Sequence, residues 1–321
     1  MKIASKKSGI TLVEFNEKAY RIAILSGGWS REREVSLSSG LGVYNALITS
    51  GKYVDVTMID VTRDVSQLVR SIELAKPDVI FNALHGIGGE DGVIQGVLEM
   101  LNIPYTHSGV SASSIAMDKV FSRIIFSHTG IPIPKWEVCT IECLMKSEHS
   151  MSLPMVIKPR NEGSSLGVFI VKSKNELDNA LRKWNYGKEV LVEEYINGKE
   201  IQTAVLNGKA LGTIEIRPHA EFFDYTAKYT EGAADHIMPA CIPDHVYSDV
   251  FAFAEMAYSS IGCKGIARLD FIYSDDGIPY LLELNSQPGL TNTSLVPDIA
   301  KHIGMSYIDV IEEIIARAST K

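Results

Sequence analysis

The chain contains 321 residues, 45% of them hydrophobic and 22% charged, as in ordinary soluble globular proteins, and it has room for two or three domains. Its net charge of −8 argues against a nucleic-acid partner, which would need a basic face, and no apolar run reaches the length of a membrane span. The cysteines at 139, 143, 241 and 263 show no metal-ligand spacing, so reduced thiols in a cytosolic protein are the simplest interpretation.

Short apolar runs alternate with helical spacing over the first third of the chain, after an extension at residues 1–20 that lacks a signal-like apolar core. Alternating strands and helices imply a parallel sheet with right-handed crossovers. We therefore expect residues 21–105 to form an α/β domain whose ligand site lies at the C-terminal ends of its strands. The predicted elements are strands at 21–26, 53–59 and 79–82 and helices at 36–50 and 93–101.

Two polar residues follow strand ends in this domain. Glu32 lies in a glycine-containing turn, where Ser30 is a plausible N-cap and an acidic residue in the first turn suits the helix dipole. The alternative is that Glu32 faces the ammonium group of a ligand. His85 leaves another strand at its C-terminal end, where sites cluster in open α/β sheets.

The second predicted unit, residues 106–208, places polar residues around strand ends. Lys158 ends an apolar strand, and a buried ammonium requires an anionic partner. The loop Asn161–Gly167 could cradle a phosphate with its glycines and serines, but it matches neither Walker A nor G-x-G-x-x-G, and a plain turn is an equal interpretation. Beyond the strand Val190–Glu194, Glu200 is placed to accept hydrogen bonds from a ribose, although a solvated acidic strand end is the simpler alternative. The remaining predicted elements are helices at 111–117, 120–129 and 175–184 and strands at 155–158 and 168–171.

The third predicted unit, residues 209–321, contains two polar segments of interest. The loop around 222–236 combines aromatic and charged residues, as lids over active sites do. The segment Ser286–Pro297 leaves a strand directly, so its Gly289 amide and Ser294 hydroxyl could meet a reacting carbonyl and a carboxylate. The predicted elements are a strand at 209–216, a helix at 246–261, a hairpin and a last helix at 308–318.

The hairpin is the most informative segment. Its Asp276-Gly277 dipeptide favours a two-residue type I′ turn, which sets the register of the flanking strands. In that register Asp270 lies opposite Glu283, and Arg268 lies opposite Asn285, on one face of the hairpin. The other face is predicted to carry the apolar side chains Leu269, Phe271, Leu282 and Leu284.

Opposed carboxylates predict a cation site on the polar face. Two carboxylates about 5 Å apart should repel each other. A divalent cation bound between them would turn this unfavourable interaction into a favourable one. Carboxylate and amide oxygens suit Mg²⁺, which commonly accompanies a nucleotide phosphate. The alternative is that Arg268 pairs with the acids on a solvated face, although one arginine cannot neutralise both carboxylates.

Seven segments, in one order, resemble the D-alanine–D-alanine ligases of the ATP-grasp superfamily. Any one of them could arise by chance, but they follow the family's order, and the likeness covers roughly residues 21–315. They are G-G-W-S-R-E-R-E-V-S-L-S-S-G (27–40), A-L-H-G-I-G-G-E-D-G-V-I-Q-G (83–96), S-G-V-S-A-S-S-I-A-M-D-K (108–119), V-I-K-P-R-N-E-G-S-S-L-G-V (156–168), F-F-D-Y-T-A-K-Y (222–229), G-I-A-R-L-D-F (265–271) and E-L-N-S-Q-P-G-L-T-N-T-S-L-V-P (283–297).

The resemblance implies an α/β, three-domain ATP-grasp fold with an N-terminal parallel-sheet domain and ATP between the central and C-terminal domains. It implies ATP and two Mg²⁺ or Mn²⁺ ions as cofactors, and ligation of two D-alanines through a D-alanyl phosphate for peptidoglycan synthesis. It further implies a bacterial cytoplasmic protein that forms a homodimer through its N-terminal domain.

The resemblance also assigns roles by position. Residues implied to bind ATP are Lys119, Lys158, Ser164, Glu193, Tyr195, Ile196, Glu200, Phe222 and Lys228. Residues implied to hold the metal ions are Asp270, Glu283 and Asn285. Residues implied to bind the two D-alanines are Glu32, His85, Ser294 and Leu295. Residues implied to act in catalysis are Glu32, Ser164 and Tyr229, as a link that ties down the lid, and Arg268 and Gly289, at the oxyanion.

Some positions depart from the family pattern. His107 stands where the family usually has glycine, Trp29 is bulky for its turn, Phe169 replaces a small or polar residue, and Leu290 replaces methionine. None of them falls on an implied catalytic position. Competing interpretations are another ATP-grasp carboxylate–amine ligase, a relative that makes D-alanyl-D-lactate, and a non-catalytic nucleotide- or metal-binding regulator. Tyr229 argues against the lactate-using relatives, which generally carry phenylalanine there.

Overall fold

The computed structural model describes residues 20–219, 232–291 and 294–320. Phe222, Lys228 and Tyr229, for which the sequence predicts roles at the lid, lie outside the described residues, as does most of the N-terminal extension. No helix within these described ranges is long and apolar enough to cross a membrane.

The first part of the chain forms a three-stranded parallel sheet in the order β2–β1–β3, as the alternation of strands and helices predicts. Helix α1 begins at Arg33, three residues before the predicted helical spacing, and its N-cap is Glu32, so the predicted N-cap role of Ser30 is wrong. The helix at 65–75 was not predicted from the sequence. The elements are β1 (Arg21–Gly27), α1 (Arg33–Ser50), β2 (Asp55–Val61), α2 (Val65–Ala75), β3 (Val79–Asn82) and α3 (Val93–Leu101).

The middle part forms a four-stranded antiparallel sheet in the order β4–β7–β5–β6. Its helix α7 packs on the sheet through Leu177, Ala180 and Leu181, which belong to a core of their own with the strand residues. The elements are α4 (Val110–Met117), α5 (Lys119–Ser127), β4 (Trp136–Thr140), α6 (Ile141–Met145), β5 (Met155–Lys158), β6 (Phe169–Val171), α7 (Lys174–Lys183) and β7 (Glu189–Glu194).

The last part forms a five-stranded antiparallel sheet in the order β10–β9–β8–β11–β12. Its strand β8 lies before the predicted boundary at residue 208, so the chain enters this sheet earlier than the sequence indicates, and the domain limits stay a prediction. The elements are β8 (Gly198–Leu206), β9 (Lys209–Pro218), β10 (Ala234–Ile237), α8 (Asp244–Ile261), β11 (Ile266–Ser274), β12 (Pro279–Asn285), α9 (Leu295–His302) and α10 (Tyr307–Ile315).

The β11–β12 hairpin confirms the predicted pairing by an unpredicted route. Asp270 pairs with Glu283 and Arg268 with Asn285, but the turn is not type I′. Gly277 has φ 86°, its N–H donates to the Ser274 carbonyl, and Ser274 N–H donates to the Ile278 carbonyl, so the loop has three residues. A bulge between the 270 and 271 pairs then restores the predicted register.

The bulge also changes which leucine is buried. Leu281, not Leu282, pairs with Phe271 and is fully buried in the core. Leu282 lies at the same cavity as Asp270 and Glu283, so its predicted place on the apolar face is wrong. The extra residue of the bulge re-aims Leu282 and shifts the register by one residue, so Asp270 and Glu283 form the predicted pair although the pairs nearer the turn do not.

The first and last parts of the chain share one hydrophobic core. Ile22 and Ile24 of β1 belong to the same buried cluster as Ile299 of α9 and Val310 and Ile314 of α10. Each such aliphatic side chain stabilises the fold by about 1.5–3 kcal/mol when it is fully buried. The parallel sheet is therefore held against the C-terminal helices, and its strand ends face the hairpin.

Candidate active site

Two adjoining cavities meet at the polar face of the hairpin. The larger, of about 630 Å³, lies between the four-stranded and five-stranded sheets, and the smaller, of about 80 Å³, lies against the parallel sheet. Both are lined by Lys119, Glu162 and Glu283. The larger volume falls in the range of ordinary ligand pockets, which is about 300–1,000 Å³. A ligand could therefore reach from one cavity into the other past these three residues.

A buried group of three charged residues lies at the inner wall of the larger cavity, which two of them, Lys158 and Glu193, line directly. Glu193, at the end of β7, accepts from Arg123 Nε at 2.7 Å and pairs with Lys158 Nζ at 2.6 Å. All three residues are at most 5% exposed. Burial would raise the pKa of Glu193, but the charges of Arg123 and Lys158 outweigh it and hold the pKa below its ordinary value.

This group carries one positive charge in excess, because two cations share one carboxylate. Burial lowers the pKa of Lys158, and the charge of Glu193 opposes that change. A buried excess cation in a low-dielectric wall attracts an anion. The buried anionic partner that the sequence predicts for Lys158 is in part Glu193, and the remaining charge suits a phosphate.

Lys119 connects the two cavities. It is the first residue of α5 and is 8% exposed, and its Nζ donates to the Glu162 carbonyl at 2.5 Å and lies 3.5 Å from Glu283 Oε2. Asp118, the N-cap of α5, accepts from the N–H groups of Val120 and Phe121 and so fixes the helix start. Lys119 thus holds the loop that follows β5 against the hairpin.

That loop, residues 161–167, is strained where it approaches the parallel sheet. Ser164 and Ser165 have φ of 49° and 59°, a region that residues other than glycine seldom adopt. The Ser164 hydroxyl donates to the Glu32 carboxylate, and a Cβ on Gly163 would lie 3.1 Å from the same carboxylate. Ser164 and Glu32 are thus hydrogen-bonded to each other as the predicted link requires, while the role of that link stays a prediction and its third member, Tyr229, lies outside the described residues.

Asp270, Glu283 and Asn285 lie together, as the hairpin register predicts. Arg268 binds Asp270 through Nε at 2.7 Å and Nη2 at 2.9 Å, while Lys119 is the cation near Glu283. The pairing of Arg268 with Asp270, which belongs to the alternative to a metal site, is therefore present. Within the described residues no group of three or more His, Cys, Asp or Glu side chains is arranged to hold a metal ion.

The donor set nevertheless fits a hard cation. Two carboxylates and one amide oxygen lie side by side at the junction of the cavities, and such oxygens are the ligands of Mg²⁺ beside a nucleotide phosphate. The Asn285 Oδ1 accepts from the Gln287 N–H at 2.8 Å, which orients the amide. These three residues could hold Mg²⁺ together with phosphate oxygens.

The smaller cavity is lined by Glu32 and His85, as their places at strand ends predict. His85 Nδ1 lies 2.8 Å from Glu90 Oε1, and its Nε2 lies 3.1 Å from the Ser39 hydroxyl. Burial would lower the pKa of His85, but the hydrogen bond to Glu90 and the charges of Glu90 and Glu32 raise it above the ordinary value. The carboxylates of Glu90 and Glu32 thus stabilise the protonated form of His85.

The residues predicted to stabilise the oxyanion line the smaller cavity, and the residues predicted to bind the second substrate follow them in the chain. Arg268 and Gly289 both line the smaller cavity. Ser294, the N-cap of α9, is close to Gly289, since a Cβ on that glycine would lie 3.1 Å from its hydroxyl. Its hydroxyl accepts from Thr291 N–H at 3.0 Å. The Leu295 side chain is buried in the core, so only its backbone could contact a ligand.

The remaining predicted nucleotide contacts fall at the larger cavity. Tyr195, Ile196 and Glu200 line it together with Lys158 and Glu193. The Glu193 carboxylate is engaged by two buried cations, so a base would meet the segment after β7 rather than that carboxylate. Ser164 lines the smaller cavity, and its neighbour Ser165 lines the larger one.

Sequence reasoning missed two functional candidates. Arg123 follows Lys119 by one helical turn on α5, so both cations share a face, and that spacing was the available indication. Glu90, which orients His85, lies five residues further along the same loop. An acidic residue so close in sequence to a candidate site histidine was the available indication for Glu90.

A parallel-sheet domain followed by two antiparallel sheets with a ligand cavity between them defines an ATP-grasp enzyme. A family model described as D-ala D-ala ligase C-terminus matches residues 125–316, and one described as D-ala D-ala ligase N-terminus matches residues 65–108. The D-alanine–D-alanine ligase of Geotalea uraniireducens (strain Rf4) is 45% identical over 307 residues, which cover 95% of this chain and 97% of that protein. The chain belongs to the D-alanine–D-alanine ligase family.

Solved structures agree with this assignment. A crystal structure of D-alanine–D-alanine ligase from Bacillus anthracis complexed with ATP has a TM-score of 0.77 and 32% identity, and covers 93% of this chain and 97% of its own. The VanG D-Ala:D-Ser ligase from Enterococcus faecalis also has a TM-score of 0.77 and 32% identity, and covers 92% of this chain and 98% of its own.

Proposed function

We propose that this chain joins two D-alanine molecules into D-alanyl-D-alanine at the expense of ATP, with D-alanyl phosphate as the intermediate, and so supplies peptidoglycan synthesis. One observation carries the proposal. The nucleotide-sized cavity and the smaller cavity share Lys119, Glu162 and Glu283, so a γ-phosphate held at that junction would face a small substrate on the other side.

In the first step the carboxylate of the first D-alanine attacks the γ-phosphorus of ATP, and ADP leaves. Lys119 and Lys158 would neutralise charge on the phosphate oxygens, with Lys228 as a further candidate. Glu32 would bind the substrate ammonium and place its carboxylate toward the junction. Phosphoryl transfer depends mainly on such positioning and electrostatic stabilisation.

Nucleotide orientation is assigned to the outer part of the larger cavity. Tyr195 and Ile196 would contact the adenine, Glu200 the ribose, and Phe222 would flank the purine. Asp270, Glu283 and Asn285 would hold two Mg²⁺ or Mn²⁺ ions, which when bound neutralise charge on the transferring phosphate.

In the second step the amine of the second D-alanine attacks the acyl phosphate carbonyl, and phosphate leaves. The Gly289 N–H and Arg268 would stabilise the oxyanion of the tetrahedral intermediate. The contact with Asp270 uses two of the five donors of the Arg268 guanidinium and fixes its plane. Ser294 and the Leu295 backbone would hold the second carboxylate.

Exclusion of water belongs to the same proposal, because an acyl phosphate exposed to water hydrolyses. The Ser164–Glu32 hydrogen bond closes the strained loop over the smaller cavity, and Tyr229 is assigned as the next member of that link. We place the reaction in the bacterial cytoplasm. A homodimer through the N-terminal part is supported by apolar side chains exposed on its helices, such as Leu41, Leu74 and Met100.

Product formation with single amino acids tests the function. ADP and phosphate release are measured with ATP, Mg²⁺ and D-alanine, L-alanine or D-serine, and with D-alanine plus D-lactate. We expect ADP release with D-alanine alone, none with L-alanine, and little stimulation by D-lactate. A preference for D-lactate or D-serine as the second substrate would assign the chain to a different ligase.

A carboxylate-to-amide change tests the proposed metal role. Glu283→Gln should abolish turnover and leave the fold intact, as seen by circular dichroism, since it removes a charged ligand without changing side-chain volume. The matched control is Glu312→Gln, which breaks only a distant pair with Lys52 and should leave turnover unchanged. Undiminished turnover in the Glu283 variant would defeat the metal role.

A further inference from the structure

Gln287 joins the two halves of the smaller cavity. It follows β12 in the segment 286–290 and is 2% exposed, yet its side chain is an amide. Its Oε1 accepts from Asn82 Nδ2 at 2.9 Å, and its Nε2 donates to the Leu84 carbonyl. Both ends of the amide are therefore bound to the parallel-sheet part of the chain, across the interface between the two parts.

The partners of Gln287 shape the loop that carries His85. Asn82, the last residue of β3, also donates through Nδ2 to the Gly89 carbonyl at 3.0 Å, and its Oδ1 accepts from Leu84 N–H at 3.2 Å. Asn82 thus closes the loop 83–89 on itself. Gln287 then fixes this closed loop from the outside.

The backbone of Gln287 acts on the other half of the cavity. Its N–H donates to Asn285 Oδ1, and two residues later Gly289 presents the amide assigned to the oxyanion. The side chain and the backbone of one residue consequently contact the first-substrate loop and a metal-ligand candidate. Its side chain is too deeply buried to meet a substrate.

We propose that Gln287 is a positioning residue that sets the first-substrate loop, residues 83–89, against the oxyanion segment, residues 286–290. This inference rests on the proposed function, because it concerns the geometry in which the second amine attacks the acyl phosphate. Attack requires the reacting atoms to lie about 3–3.5 Å apart and aligned, and a displacement of about 1 Å can lower the rate a hundredfold. ATP binds in the other cavity, where Gln287 makes no contact.

The distinguishing measurement is the ratio of ADP to dipeptide. In the wild type we expect about one ADP per dipeptide. In Gln287→Met, which keeps the length of the side chain and loses both hydrogen bonds, D-alanyl phosphate still forms but is attacked by water as well as by the amine. We expect the dipeptide rate to fall at least tenfold, the ratio to rise to two or more, and the KM for ATP to stay within twofold.

A matched control separates positioning from simple stabilisation. Gln95 is also fully buried, and its Nε2 donates at 2.8 Å to Gly89 in the same loop, but it does not reach the segment 286–290. Gln95→Met should lower the melting temperature and leave the ratio at one. Gln287→Asn, which keeps the amide but is too short to span the interface, is the second test variant if Gln287→Met does not fold.

An unchanged ratio in a folded Gln287 variant, with ADP and dipeptide falling together or not at all, would overturn the proposal. The same holds if Gln95→Met raises the ratio as much as Gln287→Met. If the wild type releases no ADP with D-alanine, the proposed function is overturned as well. This result distinguishes failure of the proposed function from failure of the positioning role of Gln287.

Discussion

Replacing His107 with a residue that does not titrate should make the unfolding free energy of the protein less dependent on pH. His107 is 5% exposed, its Nδ1 lies 2.9 Å from the Thr106 hydroxyl, and its ring packs edge-on against Phe81. Among the described residues no hydrogen-bond partner reaches its Nε2. Burial, with the nearby charge of His85, lowers the pKa of His107 to about 3.

The magnitude follows from the two protonation states. In the unfolded chain His107 binds a proton as the pH falls through about 6.5, whereas in the folded protein it stays neutral down to about pH 3. Its contribution to stability is therefore present above pH 6.5 and is lost as the pH falls toward 3, at about 1.4 kcal/mol per pH unit. Between pH 7 and pH 5 this loss amounts to about 2 kcal/mol.

The assay compares wild type with His107→Asn in urea at pH 7, 6 and 5. Asparagine does not titrate and tolerates the φ of 70° at this position. The wild type should lose about 2 kcal/mol more of its unfolding free energy between pH 7 and pH 5 than the variant does. The contribution of His85 is present in both proteins and largely cancels in this difference.

A second replacement separates the pH effect from backbone strain. His107→Gly also removes the titrating ring and relaxes the positive φ, so its absolute stability will differ from that of His107→Asn. Both variants should nevertheless show the same reduced pH dependence. Parallel stability curves for wild type and both variants would refute the assignment of a neutral His107.

Two further predictions concern the buried charges and the strained loop. Arg123→Met should lower the unfolding free energy in urea by about 1.5–3 kcal/mol, because Glu193 loses a charged hydrogen-bond donor but keeps Lys158 as its counter-ion. Glu193→Gln should then cost less in the Arg123→Met background than in the wild type, since it leaves one buried cation unpaired instead of two; equal costs in the two backgrounds would contradict the pairing. Ser164→Ala should lower kcat/KM for D-alanine about tenfold, since a hydrogen bond to the charged Glu32 is worth about 1.5–3 kcal/mol. Wild-type kinetics in the Ser164→Ala variant would contradict the proposal that this hydrogen bond closes the loop over the smaller cavity.

The hairpin shows how far local sequence patterns determine a site. Asp276-Gly277 predicts a tight reversal, and alternation predicts which side chains share a face, so Asp270 and Glu283 were paired correctly. The same dipeptide also fits a three-residue loop, and a β-bulge has no characteristic residue composition from which it could be predicted. The predicted pairing of Asp270 with Glu283 was right because the three-residue loop and the bulge shift the register in opposite directions. The predicted place of Leu282 was wrong because this residue lies at the bulge, where the shift is not yet compensated.

Contacts between distant segments could not be predicted in the same way. The sequence indicates that Lys158 needs a buried anion, but nothing local identifies Glu193, and still less Arg123 from another helix. The interface bond of Gln287 is of the same kind, because its partners lie in the parallel-sheet part of the chain. The roles at Phe222, Lys228 and Tyr229 stay predictions.

The shared core of β1, α9 and α10 has a consequence for how the chain acquires its structure. Gly42 of α1 lies so close to α10 that a Cβ there would meet the Tyr307 hydroxyl at 3.0 Å, and Lys52 pairs with Glu312 of the same helix. Strand β1 is synthesised before α9 and α10, so the part of its apolar side that these two helices cover stays exposed until they have been made. Nascent chains would expose that side throughout translation, which makes the N-terminal third the segment for chaperones to protect.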